Sequence, residues 1–157
     1  MIKYLFFLAA FAIASVGLAQ TQINPEQDKK EVQAVVAQLF KGMYEADTTM
    51  MRACFHPTAR LQSVFKSKSK QTPVLHTEMN IDGFLKSVAT PHPAPFDEQV
   101  SVYEIRVDDD MAAVWTPYKL YMGKEYIHSG VNAFHLIRNE AGKWLITQIT
   151  DTRRKQP

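Results

Sequence analysis

The sequence has a single cysteine, Cys54, in 157 residues, so no disulfide can form within the chain and its stability must come from packing. Cys54 itself reads as a small core hydrophobe, the usual place of a free cysteine. Other absences narrow the chemistry. There is no Gly-x-Ser-x-Gly elbow, and Cys54 has no identifiable paired base. No glycine-rich phosphate loop follows a strand, so no nucleotide cofactor is predicted. The charge balance, 18 basic against 16 acidic side chains, contains no basic stripe of the kind a nucleic-acid binder needs. His56, His76 and His92 fall in ends and loops without ligand spacing, and His128 and His135 lie on opposite strand faces, so no zinc site is expected. No internal repeat is present. After residue 19 no apolar run approaches the roughly 20 residues that span a membrane.

Before residue 19 the pattern differs. Lys3 supplies a positive start, Tyr4 to Val16 is an uncharged apolar stretch, and Gly17-Leu18-Ala19 ends it with small residues. This layout predicts a Sec-type secretory signal peptide over 1–19, cleaved between Ala19 and Gln20. The expected product is one domain, 20–157, periplasmic or extracellular, with no membrane insertion after cleavage. Removing Lys3 leaves 17 basic and 16 acidic side chains of the original 18 and 16. A chain of that length buries enough surface to fold without staples.

Asn24-Pro25-Glu26 is a helix start, with a cap, proline at the first position and acid in the first turn. Behind it Val32, Val35, Val36, Leu39, Phe40, Met43 and Tyr44 recur at steps of three and four, which predicts a long one-sided amphipathic helix. Asp47 caps a second, short helix ended by His56-Pro57. A hairpin follows, about 59–65 and 72–79, joined by the lysine turn 66–70. Those lysines read as solvated residues that keep an edge unpaired. Asn80 caps a third helix containing Ile81, Phe84, Leu85 and Val88. Three prolines between 89 and 96 make a stiff connector. Four β-rich segments, 99–107, 111–121, 125–138 and 143–152, complete an α+β order ending in an antiparallel meander.

Cys54-Phe55-His56-Pro57-Thr58-Ala59-Arg60-Leu61, Ala113-Val114-Trp115-Thr116-Pro117-Tyr118, His128-Ser129-Gly130-Val131-Asn132, Gly142-Lys143-Trp144-Leu145-Ile146 and Asp151-Thr152-Arg153-Arg154 occur in this order. In that arrangement the chain resembles the nuclear transport factor 2-like superfamily, which includes SnoaL-like and ketosteroid-isomerase-like proteins. More narrowly, it is similar to the exported bacterial branch labelled "putative lumazine-binding". The resemblance implies a curved antiparallel sheet forming a cone, the cystatin-like α+β roll, packed against one long and two shorter helices. It also implies a pocket on the inward face and a homodimer formed through the outer sheet face. The residues agree with the dimer: segment 125–138 is apolar on both alternate faces, and a strand of that kind needs cover on both sides.

Several residues are candidates for the pocket. His128 and Asn132 share a strand face with Gly130 between them. They read either as handles beside a roomy position or as a structural hydrogen-bonded pair next to a bend. Asp151 ends the last strand. It is either a base in an apolar cavity or the partner of Arg153 or Arg154. Tyr118, Trp115 and Tyr121 supply aromatic area for ligand contact or for packing. Three functions follow. The first is an exported binder of a small apolar or aromatic ligand, contacted by Tyr118, Asn132, Trp115 and Tyr121. The second is an acid–base isomerase, dehydratase or hydrolase with Asp151 as base and His128 or Tyr118 assisting. The third is a dimeric interaction module without a ligand.

Overall fold

The computed structural model of the protein describes residues 24–69 and 71–155. The predicted signal segment, 1–19, and Lys70 of the lysine turn lie outside them. Helix α1, Pro25–Glu45, begins as its sequence predicts: the Asn24 side chain accepts the Gln27 N–H at 3.2 Å, with Pro25 at the first helical position. One face, Val32, Val36, Leu39, Phe40 and Met43, is buried. Each such side chain contributes about 1.5–3 kcal/mol on leaving water. The helix stops at Ala46, which turns into the left-handed region at φ 53°. Helix α2, Thr48–Arg52, starts where Asp47 accepts the Met50 N–H at 2.8 Å. It lies so close to α1 that a Cβ on Gly42 would sit 2.7 Å from Met51 Cγ.

Strands β1, Phe55–Lys66, and β2, Pro73–Glu78, form the predicted hairpin. Helix α3, Asp82–Ala89, begins two residues after Asn80, whose side chain accepts the Asp82 N–H at 3.0 Å. The remaining strands are β3, Phe96–Val100; β4, Glu104–Asp108; β5, Met111–Met122; β6, Glu125–Arg138; and β7, Trp144–Arg153. They join β1 and β2 in one curved sheet of order β2-β1-β7-β6-β5-β3, with β4 also on β5.

Two expectations are corrected here. The sheet is mixed, because β1 and β7 pair in parallel, Leu61 opposite Ile149 and Ser63 opposite Asp151. A parallel pair needs a long connection, and the one used here is nearly the whole chain between the two strands instead of a link between neighbours. The segment predicted as one strand over 99–107 is two. Strand β3 pairs with the far half of β5 and β4 with its near half. Between them the fully buried Thr116 hydroxyl donates to the Val102 carbonyl at 2.6 Å, which ties down the chain where the ladder is interrupted. Register shifts in the β1/β7, β5/β6 and β6/β7 ladders add the bends that bulges bring.

The core fills the space between α1 and one part of the concave face. Phe40 meets Phe134 edge-on at 6.1 Å, and Val36, Leu136, Trp144 and Ile146 are buried with them. Toward the other part of that face the side chains do not close up.

Candidate functional site

That unfilled part is a cavity of about 410 Å³ bounded by α1, α3 and the strands. Its volume suits a small molecule. Leu39, Phe40, Leu61, Phe84, Leu120 and Ile127 give it apolar walls. Ser63, Glu98, Tyr118, His128, Asn132, Asp151 and Arg153 gather on the sheet side. Alternation brings them together: Tyr118 on β5, His128 and Asn132 on β6 and Asp151 on β7 fall at inward positions of adjacent strands, with Asn132 directly opposite Asp151.

Gly130 makes the cluster possible. A Cβ there would stand 1.7 Å from the Thr152 carbonyl oxygen and 2.8 Å from Tyr118 Cε1. Only glycine lets the Tyr118 ring and the β7 backbone approach so closely. The Tyr118 hydroxyl then lies 3.0 Å from the Thr152 carbonyl, 3.3 Å from Asp151 Oδ2 and 3.2 Å from His128 Nδ1. Carbonyl and carboxylate can only accept; with the phenol proton on one of them, His128 Nδ1–H donates to the phenol oxygen and Nε2 is left as the acceptor, whereas the other tautomer accepts that proton at Nδ1. Burial, helped by the Arg153 charge, holds the His128 pKa down, and burial with the Asp151 and Glu98 charges drives that of Tyr118 up. Both side chains are therefore neutral at ordinary pH.

The two carboxylates of the cluster differ. Asp151 is saturated: Oδ1 accepts the Ser63 hydroxyl at 2.5 Å, and Oδ2 accepts Arg153 Nε at 2.8 Å. Glu98 accepts one hydrogen bond, from Asn132 Nδ2 at 2.6 Å, and forms no ion pair among the described residues. Burial pushes its pKa up to about 7; the Asn132 bond opposes this, the Asp151 charge adds to it, and Arg153 partly offsets it. Glu98 thus changes charge near neutrality. Among the described residues no three His, Cys, Asp or Glu side chains are grouped as a metal would need.

Known proteins with this architecture share it at low identity. A nuclear transport factor 2-like protein of unknown function from Shewanella baltica is 18% identical, with 85% of this chain and 98% of that one covered, at a TM-score of 0.64. A protein of unknown function with a cystatin-like fold from Nostoc punctiforme is 13% identical, covering 83% and 93%, at 0.65. A nuclear transport factor 2-like protein with a cystatin-like fold from Novosphingobium aromaticivorans is 8% identical, covering 84% and 85%, at 0.65. These likenesses establish the fold. None of the curated proteins compared with the chain matches it. Residues 27–148 match the family described as "Putative lumazine-binding". The chain belongs to that family.

Within this lumazine-binding-family chain, the match takes in Glu98, Tyr118, His128 and Asn132 and ends before Asp151 and Arg153. Of the residues singled out from sequence, Asp151, His128, Tyr118 and Asn132 all line the cavity. His128 and Asn132 are not partners of each other; each bonds to a residue of another strand. Asp151 is both in the cavity and paired with Arg153, where the sequence offered these as alternatives. Trp115 and Tyr121 are corrected: neither lines the cavity. Trp115 falls on the outward phase of β5, between buried Val114 and Thr116, and is 50% exposed. Tyr121 follows the β5/β6 register shift and packs edge-on against Tyr126 at 5.8 Å. Glu98 escaped the sequence reading because its strand, expected from 99, begins three residues earlier at Phe96. Phe96, Glu98 and Val100 alternate, and a carboxylate in the middle of an otherwise apolar face is the signal that would have found it.

Proposed function

We propose that the protein binds a small, mainly apolar molecule in the cavity of the cone, with the Tyr118–His128–Asn132–Glu98 wall orienting its polar group. One observation carries this reading: neutral donors and acceptors and the Glu98 carboxyl, which has no ion pair among the described residues, face a space of about 410 Å³ instead of being packed away. The family description adds lumazine, a flat bicyclic heterocycle, to the compounds worth testing. Acid–base turnover with Asp151 as base has less support, since both its oxygens are already taken by Ser63 and Arg153. For such a reaction, Glu98 is the better-placed acid.

The setting belongs to the same proposal. The apolar stretch of residues 4–16 behind Lys3 supports export with cleavage after Ala19, leaving 20–157 as a single domain. The exposed Met111 and Trp115 on the outward face of β5, beside Ala133 of β6, support a homodimer through that face.

The test is native mass spectrometry of protein recovered from its own host. A small molecule should be retained, and Leu120→Trp, which fills the cavity, should release it without lowering the melting temperature. A wild-type protein that retains nothing, and that no compound of a panel including lumazine stabilises, would falsify the proposal.

A further inference from the structure

The charge of the cavity wall names a ligand class, on the premise that the cavity is the binding site. The groups facing Glu98 are Asn132 and His128 from β6, Tyr118 from β5, Asp151 and Arg153 from β7, and Tyr103 just beyond its own strand. Asp151 and Arg153 cancel as an ion pair at 2.8 Å. Tyr118, Tyr103 and His128 are neutral, the phenols pushed up and the imidazole down chiefly by burial. One negative charge remains when Glu98 is ionised, and its single bond from Asn132 leaves the other carboxylate oxygen without a hydrogen bond. Elsewhere on the wall, Glu78 has the His76 ring at 3.8 Å, a cation only when protonated, and its Oε2 is buried without a hydrogen bond. Arg153, the one lysine or arginine on the wall among the described residues, is thus held by Asp151 and withheld from Glu98.

We infer that the cavity takes a ligand with an apolar body and a protonated amine, the ammonium N–H donating to Glu98 and the body lying against Leu39, Phe40, Leu61 and Phe84. Glu98 is half-buried, and a carboxylate partly withdrawn from water is stabilised by a cation that is desolvated with it. An alcohol would leave the wall with a net negative charge, and a carboxylate would double it. The same arrangement makes recognition sensitive to pH. Glu98 takes up a proton near neutrality, while an alkylammonium keeps its charge throughout that range, so the pair is lost as pH falls.

Three probes of matched shape test this by isothermal titration of the mature chain: 2-naphthylmethylamine, 2-naphthalenemethanol and 2-naphthoate. At about pH 8 the amine should bind about tenfold or more tighter than the alcohol, in line with a charge-assisted hydrogen bond, and the naphthoate most weakly. The advantage of the amine should shrink on going to about pH 5.5. Glu98→Gln should abolish it, and a cooperative unfolding transition like that of the wild type reports that the variant is folded. Equal binding of amine and alcohol by the wild type, an advantage that ignores pH, or one that survives Glu98→Gln overturns the amine inference and spares the cavity reading. Failure of all three probes to bind overturns both.

Discussion

Strand β6 ends in two opposite environments. At its C-terminal end Arg138 reaches Asp28 of α1, lies 3.5 Å from Asp110 and stacks 4.7 Å over the Trp144 ring. Asp28 and Trp144 are almost wholly buried, as are Phe134 and Leu136 just before Arg138. Nearer its start, His128 and Asn132 face open space, and Glu98, bonded to Asn132, has no cation. Both ends hold buried polar groups. At one, opposite charges meet and volume is filled, although Asp28 Oδ2, Arg138 Nε and Trp144 Nε1 are buried without hydrogen bonds; at the other, charge is left over and volume left open. The packed end ties the long helix to the sheet through the Asp28–Arg138 pair.

The two ends should respond differently to substitution. The largest effect should come from Asp28→Ala, which strands the Arg138 guanidinium among apolar neighbours with only the exposed Asp110 left. A loss of about 3 kcal/mol in denaturant unfolding is expected, with cavity probes still bound at wild-type affinity while the protein remains folded. A loss below about 1 kcal/mol would mean that helix docking does not depend on this pair. Next comes Gly130→Ala. The added methyl collides with the β7 backbone and the Tyr118 ring, which should cost about 2–3 kcal/mol and, unlike the first change, also remove probe binding. The smallest effect is one of pH. The folded Glu98 pKa of about 7 stands above its ordinary 4.5. The unfolded chain therefore ionises first as pH rises, and the native state loses stability between about pH 4.5 and 7. Glu98→Gln should lack this slope, so its unfolding free energy should draw ahead of that of wild type across that interval, by on the order of 1–2 kcal/mol. Parallel curves for the two proteins would show that the carboxyl is freely solvated.

Local rules carried the sequence reading a long way. Asn24, Pro25 and the stripe from Val32 to Met43 are enough to place α1, and Asp47 places α2, because capping and amphipathicity act over a few residues. The alternation of β6 likewise puts His128 and Asn132 together. What stayed hidden depends on distant pairing. Nothing near Ser63 or Asp151 announces that β1 will lie parallel to β7, and that pairing brings the Ser63 hydroxyl to the Asp151 carboxylate. Trp115 was misjudged for a related reason. Its residue type suits a pocket and an interface equally, and only the inward phase of Val114, Thr116 and Tyr118 decides against the pocket. Glu98 depended on a strand boundary, the least secure feature of any such reading.

The parallel pairing also governs the order in which the protein can take shape. Strand β7 follows every other strand in the chain, yet it sits in the middle of the sheet, with β1 on one side and β6 on the other. A nascent polypeptide that has not reached Trp144 holds two separate fragments, the β1–β2 hairpin and the β3–β6 ribbon, with no hydrogen-bonded link between them. The closing step joins residues as far apart as Ser63 and Asp151, 88 positions along the chain, so loop-closure entropy makes it late and slow. Before it happens there is no enclosure for any guest to occupy. Competence to bind should therefore switch on abruptly once the final strand slots home, and not accumulate as synthesis proceeds.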